Sequence, residues 1–213
     1  MKIAILGATG VIGGAIAQEA LQRHHHVTAI VRDPVRLAMS NANLDVVTGD
    51  VFEGDEVLDA IQRKDAVIAS ISGKRDGDPQ TIVDGARALL EVFPQSRARR
   101  LVWVGEAGTL ENGAGGRVMD SPDFPAECKP VAEAQAEALE IFQSSKENVD
   151  WTYICPAAVI APGKRTGHYR TGTDRLLTDE RGESRISVAD FAVAVIDALE
   201  HPDSARQRLT VAY

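Results

Sequence analysis

Gly7, Gly10 and Gly13 stand at the spacing G-x-x-G-x-x-G, with Ala8, Thr9, Val11 and Ile12 between them. An apolar run, Lys2–Leu6, precedes them, and Ile12, Ile16 and Ala20 follow at steps of four. Glycines where a strand turns into a helix permit a tight turn. They also let backbone approach phosphate oxygens and let the helix pack close to the strand, while the first helical amides supply donors. The sequence therefore predicts a pyrophosphate cradle, and so a dinucleotide site, because the glycines open a strand–helix–strand unit of about 30 residues. A second strand is expected at 27–31. An acidic residue after it would accept from ribose hydroxyls. Here that residue is Arg32, with Arg36 four positions on. Guanidinium groups suit a 2′-phosphate, which favours NADP(H) over NAD(H). Asp33 could reach a ribose hydroxyl, which keeps NAD(H) open.

The elements needed to position these groups follow from the rest of the chain. At 213 residues, with 44% apolar and 25% charged residues, one domain with an ample core is expected over 1–213. A net charge of −8 argues against nucleic acid or an anionic membrane as the main partner. Cys128 and Cys155 have no framework spacing, which suits a reducing compartment. No secretory signal or membrane-spanning run is read, so the expected location is the cytoplasm. Strands are predicted at 43–48, 66–71, 101–104, 150–155 and 208–212. Helices are predicted at 53–63, 79–93, 126–145 and 187–200. Alternation of this kind implies an α/β, doubly wound, mainly parallel sheet with helices on both faces. Ser187 can cap the last helix, with Asp190 completing a capping box and Pro202 following it. Segment 72–79 reads as a polar loop, and 97–100, rich in arginine, as a solvated edge. Segments 105–125 and 157–178 read as irregular, with a short hairpin near 168–173. They are expected to shape the substrate site at the carboxyl ends of the strands.

Gly7-Ala8-Thr9-Gly10-Val11-Ile12-Gly13, Val31-Arg32-Asp33-Pro34, Asp150-Trp151-Thr152-Tyr153 before Pro156, and Ile186-Ser187-Val188-Ala189-Asp190-Phe191-Ala192 together resemble the atypical short-chain dehydrogenase/reductases. The likeness is strongest to their NAD(P)H-binding, NADH-flavin reductase-like group and covers nearly the whole chain. The resemblance implies that Gly7–Gly13 hold the pyrophosphate, with Thr9, Val11 and Ile12 offering backbone or hydroxyl contacts. It implies Arg32 at the adenosine ribose or its phosphate, and Asp50 and Val51 beside the adenine. Ser70 and Ile71 would lie along the ribose, and Pro156 and Ala157 near the nicotinamide.

One departure is informative. Typical members carry Tyr-x-x-x-Lys, the tyrosine acting as general acid for a carbonyl. Here Tyr153 is followed four residues on by Ala157 and Tyr169 by Thr173, and Tyr213 is the last residue. A ketone needs a proton on its developing alkoxide. A flavin such as FMN, or a quinone, spreads the charge and can take its proton from water. The sequence therefore predicts a reductase for a conjugated small-molecule acceptor. The alternative is a dinucleotide-binding redox sensor without turnover. An isomerase or epimerase ranks last, since it would normally want the missing acid.

Other groups are read more plainly. His24, His25 and His26 form the polar exit of the first helix, and no metal site is predicted. His168 reads as a solvated loop residue. Lys129 stands at a helix start near the expected substrate entry. Glu106, just past the fifth strand, is either a functional group or a surface carboxylate. Trp103 and Trp151 read as core. Cys128 has no adjacent base, and no Gly-x-Ser-x-Gly elbow supports hydrolysis.

Overall fold

In a computed structural model, the structure describes residues 1–73, 77–145, 149–201 and 205–213. Residues 74–76 of the expected polar loop, and Pro202 after the last helix, lie outside the described residues.

The strands β1 (Lys2–Leu6), β2 (His26–Val31), β3 (Leu44–Thr48), β4 (Ala66–Ala69), β5 (Arg100–Val104) and β6 (Asp150–Cys155) pair in parallel. Two short strands, β7 (Val159–Ala161) and β9 (Arg185–Ser187), form a separate parallel pair. Strand β10 (Gln207–Ala212) pairs in parallel with β6, and β8 (Arg170–Gly172) closes the edge antiparallel to β10. The main sheet has the order β3-β2-β1-β4-β5-β6-β10-β8. This is the predicted α/β fold.

Why β1 lies inside the sheet can be read from its residues. Successive side chains leave a strand on opposite faces. Ile3 and Ile5 pack with α1 (Val11–Gln22) and α5 (Val188–Glu200), while Ala4 and Leu6 pack with α2 (Gly54–Ile61), α3 (Gln80–Val92) and α4 (Lys129–Ser144). A strand covered on both faces needs apolar residues on both, as β4 has throughout and β1 has from Ile3 to Leu6. Beneath α4, Phe142 packs against Trp103, Trp151 and Tyr153 with ring centroids 5.3–5.8 Å apart. Both tryptophans are core residues, as predicted.

Several expectations are corrected. Segment 157–178 is not irregular throughout, because β7 and β8 form in it. Residues 168–173 form no local hairpin, since β8 pairs with β10, about 40 residues away in sequence. Strand β4 ends at Ala69, and the helix expected from 126 opens as a 3-10 turn, Ala126–Cys128. Arg100 is buried within β5, where it donates to Thr152 Oγ1 (2.8 Å) and the Ala198 carbonyl (3.2 Å). His25 is buried too, with Nε2 2.7 Å from Glu200 and Nδ1 3.1 Å from the Met1 amine.

Ser187 Oγ accepts from Asp190 N at 2.9 Å and so caps α5. The capping box is not closed. Instead the Asp190 carboxylate, itself buried, accepts four hydrogen bonds at 2.7 Å, from Thr166 N, Thr166 Oγ1, Gly167 N and Tyr213 Oη. The Ser187 amide donates to Tyr213 Oη (3.2 Å). Nearby, Arg165 ties the same segment to Glu19 of α1 (both contacts 2.8 Å).

Candidate functional site

The strand order reverses direction between β1 and β4, where crevices form at the carboxyl ends of an open α/β sheet. A cavity of about 360 Å³ lies there. Its walls come from the ends of four strands: Gly7, Thr9 and Gly10 after β1; Arg32 and Arg36 after β2; Asp50, Val51 and Phe52 after β3; Ser70, Ile71 and Ser72 after β4.

The glycine turn has the local geometry the cradle requires. Gly7 has φ +85°, a left-handed conformation that penalises any side chain. A Cβ there would lie 2.1 Å from the Ser70 carbonyl oxygen. At Gly13 a Cβ would lie 2.2 Å from the Gly7 carbonyl oxygen. The first requirement brings β4 against the turn, and the second brings α1 down onto it. Gly10 N donates back to Gly7 O at 2.9 Å, closing the turn. Such a cradle fits the pyrophosphate of a dinucleotide, and two guanidinium-bearing residues, Arg32 and Arg36, stand in the same cavity wall.

Arg36 enters the wall through its own turn. Asp33 Oδ1 accepts from Val35 N (3.2 Å), capping the 3-10 turn Pro34–Arg36. Asp33 itself is not in the cavity wall.

Of the predicted site residues, Gly7, Thr9, Gly10, Arg32, Asp50, Val51, Ser70 and Ile71 meet in this cavity. Ala8, Val11, Ile12, Gly13, Pro156 and Ala157 do not line it. Ala8 and Gly13 are buried beneath the turn, Val11 is exposed at the start of α1, and Ile12 is half-buried. Pro156 and Ala157 are buried just past β6. Sequence reading missed Phe52 and Thr81 in the wall. Phe52 directly follows the Asp50-Val51 pair and is 47% exposed, an unusual state for a phenylalanine. That could have marked it only once burial was known.

The three tyrosines all point to internal acceptors. Tyr153 is fully buried, donating to the Gln135 carbonyl (2.8 Å) and lying against Gln135 Oε1, which also accepts from Trp103 Nε1 (3.1 Å). Burial pushes its pKa well above the ordinary tyrosine value. Tyr169 bonds Asp197, and burial, with that carboxylate, raises its pKa. Tyr213 bonds Asp190. Burial likewise pushes the Cys155 thiol up to about 12, so it is no thiolate nucleophile at neutral pH. Glu106 Oε2 accepts from Gly108 N (2.6 Å), capping the turn Ala107–Thr109. Lys129 and His168 are exposed. Among the described residues, no group of three or more His, Cys, Asp or Glu side chains could hold a metal ion.

Residues 7–199 match the NAD(P)H-binding family. The chain belongs to this family. It is 39% identical to YwnB of Bacillus subtilis, an uncharacterized protein, over 99% of this chain and 98% of that one. A proposed exported protein from Burkholderia pseudomallei has a crystal structure that superposes with TM-score 0.91 at 39% identity, covering all of both chains. A proposed NADH-flavin reductase from Streptococcus pneumoniae superposes with TM-score 0.85 at 32% identity, covering 100% of this chain and 99% of that one. The family is of oxidoreductase type, and the resemblance read from the glycine turn and the Asp150–Pro156 segment is borne out. Among the described residues, no helix is long and apolar enough to cross a membrane.

Proposed function

We propose that this chain is a cytoplasmic reductase that uses NADPH in preference to NADH and serves a flavin, quinone or similar conjugated acceptor. The observation that carries this reading is the convergence of the glycine turn, Arg32 and Arg36 on one cavity. When bound, reduced nicotinamide would supply the hydride. The protein's part is to hold and orient. Gly7–Gly13 would grip the pyrophosphate through backbone amides, and Arg32 with Arg36 would meet the 2′-phosphate. Asp50, Val51 and the exposed ring of Phe52 would flank the adenine. Pro156 and Ala157 would border the nicotinamide.

The committed tyrosines support a conjugated acceptor. With Tyr153, Tyr169 and Tyr213 all bonded internally, no tyrosine hydroxyl is poised to protonate an alkoxide. A flavin or quinone does not demand one. The net charge of −8 supports a small-molecule substrate over a nucleic acid or anionic membrane partner.

Charge reversal at Arg32 tests the cofactor assignment. Arg32→Asp is expected to raise the Kd for NADPH roughly 100-fold, the size of losing a charge-assisted contact to phosphate. The Kd for NADH should change by no more than about threefold, as read by fluorescence titration. Equal losses for both cofactors would remove Arg32 from the phosphate site.

The two loops expected around the acceptor are pinned together. Arg208 Nη1 donates to the Thr109 carbonyl (2.8 Å), and its Nη2 and Nε reach Asp174 Oδ1 (2.7 and 3.0 Å). Glu111 N also donates to Asp174 O (2.8 Å) and Leu176 N to Glu111 O (3.0 Å). Arg208→Ala is expected to raise the acceptor KM about fivefold to tenfold in steady-state kinetics while leaving the NADPH Kd within about twofold. A change confined to NADPH affinity would contradict the assignment of these loops to the acceptor.

A further inference from the structure

At the opposite end of the sheet from the glycine turn lies a second cavity, of about 700 Å³. It opens below the amino ends of β1, β4, β5 and β6, roughly 15–20 Å from the cofactor crevice by strand length. Its walls carry five cations, Arg63, Lys64, Arg97, Arg99 and Arg100, against three carboxylates. In a chain of net charge −8 this is a reversal of local sign.

The carboxylates in that wall have internal work. Asp65 Oδ2 accepts from Lys2 N (2.7 Å), and Glu200 accepts from Arg23 (2.7 Å) and lies 2.7 Å from His25 Nε2. Asp150 is the acidic neighbour that supports the charge of Arg100. The cations are arranged differently. Arg63, Arg97 and Arg99 stand exposed around the opening. Lys64 is half-buried and reaches Thr28 Oγ1 (2.7 Å). Arg100 forms the floor, its guanidinium held by Thr152 and the Ala198 carbonyl. The exposed arginines come from two separate connections, before β4 and before β5. The Arg99 N to Asp65 O hydrogen bond (3.0 Å) holds those connections side by side.

We propose that this cavity is a second anion site, which binds a multiply charged phosphate such as pyrophosphate or a phosphorylated metabolite. Cations gathered around a concave opening focus the field on a small anion. Four of the five are arginines, whose planar forks match phosphate oxygens in bidentate geometry. The cavity's size lies within the range of small-ligand sites. Burial disfavours the Arg100 cation, so an anion above it gains from relieving that cost.

The test must separate this site from the glycine turn, which also suits phosphate. Wild-type protein would be saturated with NADP⁺ and titrated with sodium pyrophosphate at constant ionic strength, by calorimetry and thermal shift. Expected is a saturable signal, with Tm rising roughly 3–5 °C at ten times the Kd. The double variant Arg97→Glu/Arg99→Glu changes exposed side chains only. It is expected to lose at least about tenfold in pyrophosphate affinity while keeping its NADP⁺ affinity and its Tm without anion. A pyrophosphate signal that NADP⁺ abolishes, or that the double variant leaves unchanged, would overturn the proposal. So would a response no larger than that to sodium chloride. Tighter binding of citrate than of pyrophosphate would overturn the phosphate assignment.

Discussion

Gly7→Ala is expected to remove cofactor binding and to destabilise the fold by roughly 2–5 kcal/mol. Two physical effects add at this position. The backbone is left-handed at φ +85°, and the new Cβ would meet the Ser70 carbonyl oxygen at 2.1 Å. Backbone must move, because neither atom belongs to a flexible side chain. Movement would separate the turn from β4 and widen the cavity that holds Arg32 and Arg36 opposite Ser70 and Ile71. In thermal denaturation the loss corresponds to a Tm lower by roughly 5–15 °C, and titration should show at least about 100-fold weaker NADPH binding. Gly115→Ala is the matched control. Its φ is +91°, but no atom lies within 4 Å of the added Cβ. It should show the conformational cost of about 1 kcal/mol and keep its affinity. Equal behaviour of the two variants would mean that close approach at Gly7 is unimportant.

Asp190→Ala carries the next largest effect, an expected loss of about 3 kcal/mol. Removing the carboxylate strips one partner from two backbone amides and two hydroxyls at once. Asp190→Asn should fall between, because it keeps one acceptor oxygen and the two hydroxyls can reorient toward its amide. A pH signature accompanies the loss. Burial opposes ionisation of Asp190, but hydrogen bonds from Tyr213, Gly167 and Thr166 outweigh it and hold its pKa below the ordinary value. At Glu19 the hydrogen bond from Arg165 is the largest influence; it is opposed by burial and reinforced by Arg23, and the pKa is again lowered. Groups whose folded pKa is depressed stabilise the fold fully above their unfolded values, near 4. That contribution is lost as the pH falls through the folded values. Wild-type Tm should therefore drop steeply below about pH 4, and Asp190→Ala should drop less over the same range. A variant with unchanged acid sensitivity would show that Asp190 does not contribute to it.

The parts of this architecture that depend on neighbouring residues were legible before any coordinates. The glycine spacing, the two-sided apolar runs of β1 and β4, and the Ser187 cap are each encoded within a few positions. What failed depends on partners far away in sequence. Strands β7, β8 and β9 have three residues each, too few for alternation to appear; β7 and β9 form as each other's partners, and β8 forms beside β10. Asp190 reads as a capping-box acid from its spacing, yet Tyr213 and the Thr166–Gly167 amides compete successfully for its carboxylate. Arg100 reads as the end of a basic surface run, but its strand is central and its side chain finds Thr152 and Ala198 across the sheet. Within the candidate site, the glycine turn and Arg32 were legible from spacing, and Asp50, Val51, Ser70 and Ile71 from the resemblance. Phe52, one position on, is marked only by its exposure, and Thr81 only because the fold brings α3 to the same crevice.

Absorbance of the reduced nicotinamide measures cofactor-dependent reduction of a conjugated acceptor directly. Purified protein would be mixed with NADPH or NADH, each with FMN, riboflavin, a simple quinone or no acceptor. The expected result is acceptor-dependent loss of NADPH absorbance well above the enzyme-free rate, faster than with NADH, and lost in Gly7→Ala. Tight NADPH binding with no oxidation beyond the control for any of these acceptors would contradict that activity and make the chain a dinucleotide-binding sensor.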